Sequence, residues 1–161
     1  MPDTEVLVGR HKRLSFMEVN GTYMRMTKFT AFDESKSPKE YSRQYIDQAT
    51  ESTDLVGFST SHSFSFDRHT NNAVHKKIAD INDRELTGTD AQVNVVTVDL
   101  FDEVSDGSFV ARKRTFAVIP SGAGNGTDAL IYAGDFKAVS GITEGTATSS
   151  DDWQTLTFSE G

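Results

Sequence analysis

The most constraining stretch of this chain is residues 57–66. Phe58, Thr60, His62, Phe64 and Phe66 occupy alternate positions, and Ser59, Ser61, Ser63 and Ser65 fill the places between them. A repeat of two is that of a β-strand, whose side chains point to opposite faces in turn. The aromatic face is therefore predicted to be core. The other face is small, neutral and hydroxyl-bearing.

Strand signals continue on both sides. Residues 14–19 read as a short strand. Asn20-Gly21 reads as a hairpin turn, because both residues tolerate φ > 0. A second strand is predicted from Tyr23 to Phe32, with both faces mixed. Val93, Val95, Val96, Val98 and Leu100 put apolar side chains on both faces of a strand over 91–101, which predicts a central, doubly covered position. Asp106-Gly107 turns the chain into a strand over 109–119, and further strands are predicted over 129–139, 142–148 and 153–158. One helix is predicted over 73–86. Asn71 or Asn72 caps its first amides, Val74, Ile78 and Ile81 form one apolar stripe, and Gly88 ends it. Ser and Thr together make 34 of the 161 residues, and Phe supplies 11; Thr and Phe suit a pleated, half-buried surface. The fold class expected is mostly β, a β-sandwich or barrel with one flanking α-helix.

A chain of this length fits one domain. Residues 1–13, ending in Arg10-His11-Lys12-Arg13, read as an N-terminal arm, and residues 14–161 as a single domain. Inside it lies a long polar loop at about 33–53. Asp33 to Lys39 reads as loop, followed by an extended segment with Tyr41, Arg43 and Tyr45 on one side. Two readings stay open for it: an ordinary edge strand with polar flanks, or a segment ordered by a partner.

Charge and motifs exclude more than they indicate. A net charge of −8 with pI ≈ 4.9 argues against broad gripping of nucleic acid. With no cysteine there is no disulfide framework, thiolate nucleophile or zinc–cysteine site. No apolar run is long enough to span a membrane as a helix. The start, Met-Pro-Asp-Thr-Glu, has no secretory pattern, so cytoplasmic synthesis is expected. Of His11, His62, His69 and His75, none pair at the spacing that puts two ligands on one helical face, and His62 falls on the apolar strand face as a hydrogen-bonded core residue. Gly122 to Asp128 lacks the Lys-Ser/Thr of a phosphate loop and precedes a strand, so it reads as a hairpin loop. Asp151-Asp152 reads as a solvated turn. Arg112, Lys113 and Arg114 split across two faces of their strand, and salt bridges to a neighbouring acidic surface are their expected use. No nucleophile–base motif is present, and no catalytic, cofactor or metal residue is assigned.

Two regions carry a family signal. One is Phe66 to Asp83 followed by Gly88 to Phe101; the other is Gly126 to Val139, ending in Gly145 to Phe158 with its Gly-Thr-Ala-Thr and Trp153. In the order hairpin, long loop, Ser/Phe strand, helix, valine strand, Gly-rich loop and terminal Trp segment, the chain resembles the major tail protein, or tail tube protein, of tailed bacteriophages of Gram-positive hosts. The resemblance covers most of residues 14–158. It implies a β-sandwich with a flanking helix, no cofactor and no enzymatic activity. It also implies a homo-hexamer whose rings stack into a hollow virion tail tube, assembled in the host bacterial cytoplasm. The tube would be built around a tape-measure protein, with tail terminator and distal tail proteins at its ends, and DNA would pass through without specific binding. On that reading Tyr41, Arg43, Tyr45, Arg112 and Arg114 are inter-subunit contacts. Ser59, Ser61, Ser63 and Ser65 face the lumen or, alternatively, the outer solvent. A near variant is the inner tube of a contractile or bacteriocin-like particle. From a different class, a carbohydrate-binding β-sandwich would use Trp153, Tyr41, Tyr45 and Tyr132; a small hydrolase has the weakest support.

Overall fold

The computed structural model describes residues 5–124 and 127–161. Their elements run β1 Arg13–Val19, β2 Thr22–Arg25, β3 Phe29–Arg43, β4 Ser52–Asp67, α1 Ala73–Asp83, β5 Gln92–Ser105, β6 Ser108–Ala123, β7 Ile131–Ala138, β8 Thr143–Thr148 and β9 Thr155–Glu160. Every strand pairing is antiparallel. β6 lies along β5 on one side. On its other side its first half pairs with β8, from Phe109↔Ala147 to Lys113↔Thr143. Its second half pairs with β7, from Phe116↔Ala138 onward. The circuit β1–β2–β9–β8–β6–β5 thus closes a six-stranded barrel, and β7, β4 and β3 extend the upper half of β6 as a wing outside it. Of sandwich and barrel, the barrel is the form adopted.

The two-faced valine pattern of β5 follows from this circuit. Val96 and Val98 point into the barrel with Phe16, Ala111, Ala147 and Leu156. Val93 and Val95 point outward into a second core with Met17, Val19, Phe116 and the wing residues Phe64, Phe66 and Phe136. Helix α1 roofs that outer core. Asn72 caps it, its Oδ1 accepting from His75 N–H at 3.1 Å, and Val74, Ile78 and Ile81 are buried beneath. The helix ends earlier than its periodicity predicts, at Asp83, and the left-handed residue that closes it is Glu85 (φ 51°), while Gly88, left-handed as expected at φ 63°, lies further on at the start of a 3-10 turn. Leu86 N–H donates to Ile81 O and Glu85 N–H to Asn82 O, which closes the last turn without glycine.

The first hairpin forms as expected: Asn20 and Gly21, at φ 53° and 82°, join β1 to β2. The single strand predicted from Tyr23 to Phe32 is broken, however, at Met26–Lys28, where Lys28 takes φ 64°. The break is held from the helix. His75 Nε2 lies 2.8 Å from Thr27 O, and Asn72 Nδ2 donates to Thr27 Oγ1 at 3.1 Å. The chain can therefore leave the barrel and enter the wing as β3.

The polar loop expected at 33–53 is mostly strand. β3 runs through Asp33 to Lys39 without interruption and pairs with β4 as far as Arg43↔Ser52, leaving a short tip at 44–51. Its polarity is that of an edge, since among the described residues nothing pairs with the far side of β3. Pro38 and the charged residues Lys36, Lys39 and Glu40 blunt that edge against further strand addition. In the N-terminal arm, Val6 and Leu7 are exposed, and a 3-10 turn at Arg10–Lys12 leads into β1. Of the glycine-rich loop, Asn125 and Gly126 lie outside the described residues.

Candidate assembly surfaces

β7 pairs with β4 only from Ser61 onward. Beyond that level β3 and β4 continue alone from Lys36↔Thr60 to Arg43↔Ser52, a two-stranded ribbon reaching roughly 25 Å past the wing at ~3.3 Å per residue. Two strands alone are marginal in water, yet this pair carries exposed apolar side chains. Ile46 is fully exposed, and Leu55, Val56 and Phe58 are more than half exposed. Phe58, predicted to be core, is corrected here: the aromatic face is buried from Thr60 to Phe66, and Phe58 lies on the ribbon with Lys36 Nζ 5.6 Å from its ring centre.

Tyr41, Arg43 and Tyr45 come together as their alternation predicts. The Arg43 guanidinium lies 4.8 Å from the Tyr41 ring centre and 5.1 Å from that of Tyr45. Its Nε donates to Tyr45 Oη at 2.7 Å, and its NH2 group pairs with Asp54. The tip is thus pre-ordered while both tyrosine rings stay about half exposed.

Ser59, Ser61, Ser63 and Ser65 lie on the side of the wing away from the outer core, with Ser59 and Ser63 exposed. Ser35 and Ser37 flank them on β3, opposite Ser61 and Ser59. Ser63 Oγ donates to Asp135 Oδ1 at 3.1 Å, and Lys137 sits across from Ser61. The face is small, hydroxylic and of mixed charge.

Arg112 and Arg114 project from the barrel wall on the side opposite Lys113. Arg112 is engaged within its own chain: with Arg13 it clamps the buried carboxylate of Asp99, at 2.8 and 2.7 Å. Arg114 Nε donates to Ser140 O and, among the described residues, has no carboxylate partner. These arginines border a cleft of about 500 Å³ between the barrel wall and the root of the ribbon, also lined by Arg10, Lys36, Glu34 and His62. Burial pushes the His62 imidazole below its ordinary range, against the opposing pull of Glu34. Its Nε2 is 3.4 Å from Glu34 Oε2, while its buried Nδ1 has no partner. Neither Asp99 nor the Glu34–His62 pair was singled out from sequence. The available signal was an aspartate at an outward position of a valine strand, which needs a cation to be buried.

The remaining histidine and aspartate features are structural. His75 is fully buried, accepts from His69 N–H at Nδ1 and meets Thr27 O at Nε2, so it pins the helix start. Asp151 is more than a solvated turn. Its carboxylate accepts from Thr155 Oγ1 (2.7 Å) and Thr155 N–H (3.0 Å), contacts Ser149 Oγ, and is held down at about 2 by these bonds. The loop it organises sets Trp153, at φ 62°, against Phe16 and Phe109. Among the described residues no cluster of His, Asp and Glu is placed to hold a metal, and no helix is long and apolar enough to cross a membrane.

No family model matches this chain, and no curated protein matches it in sequence. Among solved structures, it is similar in fold to a chain in the cryo-EM structure of the anti-feeding prophage (AFP) baseplate, 6-fold symmetrised. The TM-score is 0.53 at 12% identity, over 88% of this chain and 97% of that one.

Proposed function

We propose that this protein is a structural subunit of a phage-tail-like particle, a tail tube protein whose copies form hexameric rings that stack into a hollow tube. The observation that carries the reading is the β3–β4 ribbon: two strands without a third, extended beyond a closed barrel and wet along an apolar stripe. Such a ribbon gains its stability by lying on another subunit. The likeness to a chain of a 6-fold symmetrised prophage baseplate supports the same reading at the level of fold. Head-to-tail contacts that close give a ring, and those that do not close give a stack.

In this reading Tyr41, Arg43 and Tyr45 meet a neighbouring subunit, and the protein is a brick rather than an enzyme. The serine face lines the bore. Six copies at −8 each bring about −48 to a ring, and a wall that is hydroxylic and not basic avoids the counterion-releasing contacts that would hold DNA. Tape-measure, terminator and distal tail proteins are its partners, and the virion tail, built in the bacterial cytoplasm, is its place. The baseplate likeness favours one second reading, the inner tube of a contractile or bacteriocin-like particle. Negative-stain microscopy of the purified chain at rising concentration tests the proposal. Rings and tubes of uniform width are expected; a chain that stays monomeric and binds glycans on an array overturns it in favour of a carbohydrate-binding module.

A further inference from the structure

The cleft between the barrel wall and the root of the ribbon is locally basic in an acidic chain. Asp99 is already matched by Arg13 and Arg112. Among the described residues Arg10, Lys36 and Arg114 have no carboxylate partner. Asp33 and Glu34 line the cleft as well, Glu34 beside His62, but with Arg13 and Arg112 the cations there outnumber the carboxylates, which favours an acidic occupant.

The chain carries a matching surface elsewhere. At the β5–β6 turn residues 101–107 are all exposed. Asp102, Glu103 and Asp106 lie there beside Phe101 and Val104, whose side chains are 47% and 60% exposed. The pairing of β5 with β6 lapses between Val98↔Ala111 and Glu103↔Phe109, so three extra β5 residues bulge out. Glu103 Oε2 accepts from Gly107 N–H at 3.0 Å, which fixes the turn, and among the described residues Asp102 and Asp106 have no cationic partner. Thr97 of β5 lines the cleft, and the strand carries the turn onward, roughly 15–30 Å past it at ~3.3 Å per residue. The turn therefore cannot fill the cleft of its own chain.

We propose that the acidic β5–β6 turn of one copy docks in the basic cleft of the next. Asp102 and Asp106 pair with Lys36 and Arg114, and Phe101 or Val104 covers the cleft mouth. Turn and cleft are different patches of one chain, so the contact is heterologous and propagates from copy to copy. Being a contact between copies, it rests on the self-assembly reading above.

Two charge-reversed full-length variants test it. The cleft variant is Lys36→Glu with Arg114→Glu, and the turn variant is Asp102→Lys with Asp106→Lys. Each is expected to assemble at least tenfold more slowly than the parent chain by light scattering, with an unchanged melting temperature. An equimolar mixture is expected to recover, because alternating copies then face opposite charge at every contact. Wild-type rates for either variant alone, or a mixture as slow as its components, overturn the inference and leave the tube reading standing. Because the chain has no cysteine, Asp106→Cys on one copy and Ile142→Cys at the cleft of another give a second readout with a bismaleimide, even if long assemblies never form. A yield at least tenfold above the control pair Asp106→Cys and Lys76→Cys supports docking; equal yields overturn it.

Discussion

Phe16 and Met17 are consecutive on β1, both are completely buried, and they share no core: the first fills the barrel and the second lies outside it beneath the helix. Each tests one core. Phe16→Ala is expected to cost about 3–5 kcal/mol and Met17→Ala about 2–5 kcal/mol in urea unfolding. The native emission of the only tryptophan, Trp153, whose ring lies 6.3 Å from that of Phe16, should move with Phe16→Ala and not with Met17→Ala. Equal spectral responses would contradict two separate cores.

The ribbon is an appendage to both cores. Replacing residues 38–58 by Asn-Gly, which joins the paired residues Ser37 and Ser59 through a tight turn, should leave the melting temperature within a few degrees of the parent's. The same variant should lose ring and tube formation in negative stain. Normal tubes from it would refute the ribbon's role in assembly.

Two buried histidines set a pH dependence. Burial lowers both His62 and His75 from the ordinary value of 6.5. As pH falls through about 6.5 the unfolded chain takes up protons that the native chain still refuses. Their contribution is thus complete above that pH and is lost below it. The urea midpoint should be lower at pH 5.5 than at pH 7.5. The double variant His62→Gln, His75→Gln, though less stable overall, should show a flatter profile across that interval.

Asp151 acts in a different window. Its carboxyl, held at about 2 against an ordinary 3.8, stabilises the β8–β9 loop above pH 3.8 and loses that contribution as pH falls toward 2. An NMR titration should place its midpoint near 2, and Thr155→Val, which removes the hydroxyl at 2.7 Å, should raise it toward 3.8. An unchanged midpoint would show that another contact holds it.

The architecture was legible where local chemistry and burial agree. The Asn20-Gly21 hairpin, the doubly covered valine strand, the capped helix and the clustering of Tyr41, Arg43 and Tyr45 all follow from short-range patterns that tertiary contacts reinforce. The errors have tertiary causes. Tyr23–Phe32 carries no break signal, and the break at Lys28 is imposed by His75 and Asn72 from another part of the chain. Residues 33–39 look like loop because an edge strand has no apolar face to keep. Phe58 carries the period of a buried strand past the point where anything covers it. The cleft was invisible because Arg13, Asp99 and Arg112 belong to three strands brought side by side only by the pairing of β1 and β6 with β5.

Among the described residues, closing the barrel leaves the sheet two long open margins, the far side of β4 along the ribbon and the longer outer flank of β3, and Pro38 with its charged neighbours interrupts the latter. Indiscriminate backbone-to-backbone zippering, the usual route from a crowded β-rich solution to fibrous clumps, finds no continuous track there. On the proposed assembly, joining would then be governed by side chains that match in shape and sign, and copies would wait until a nucleus fixes where growth begins.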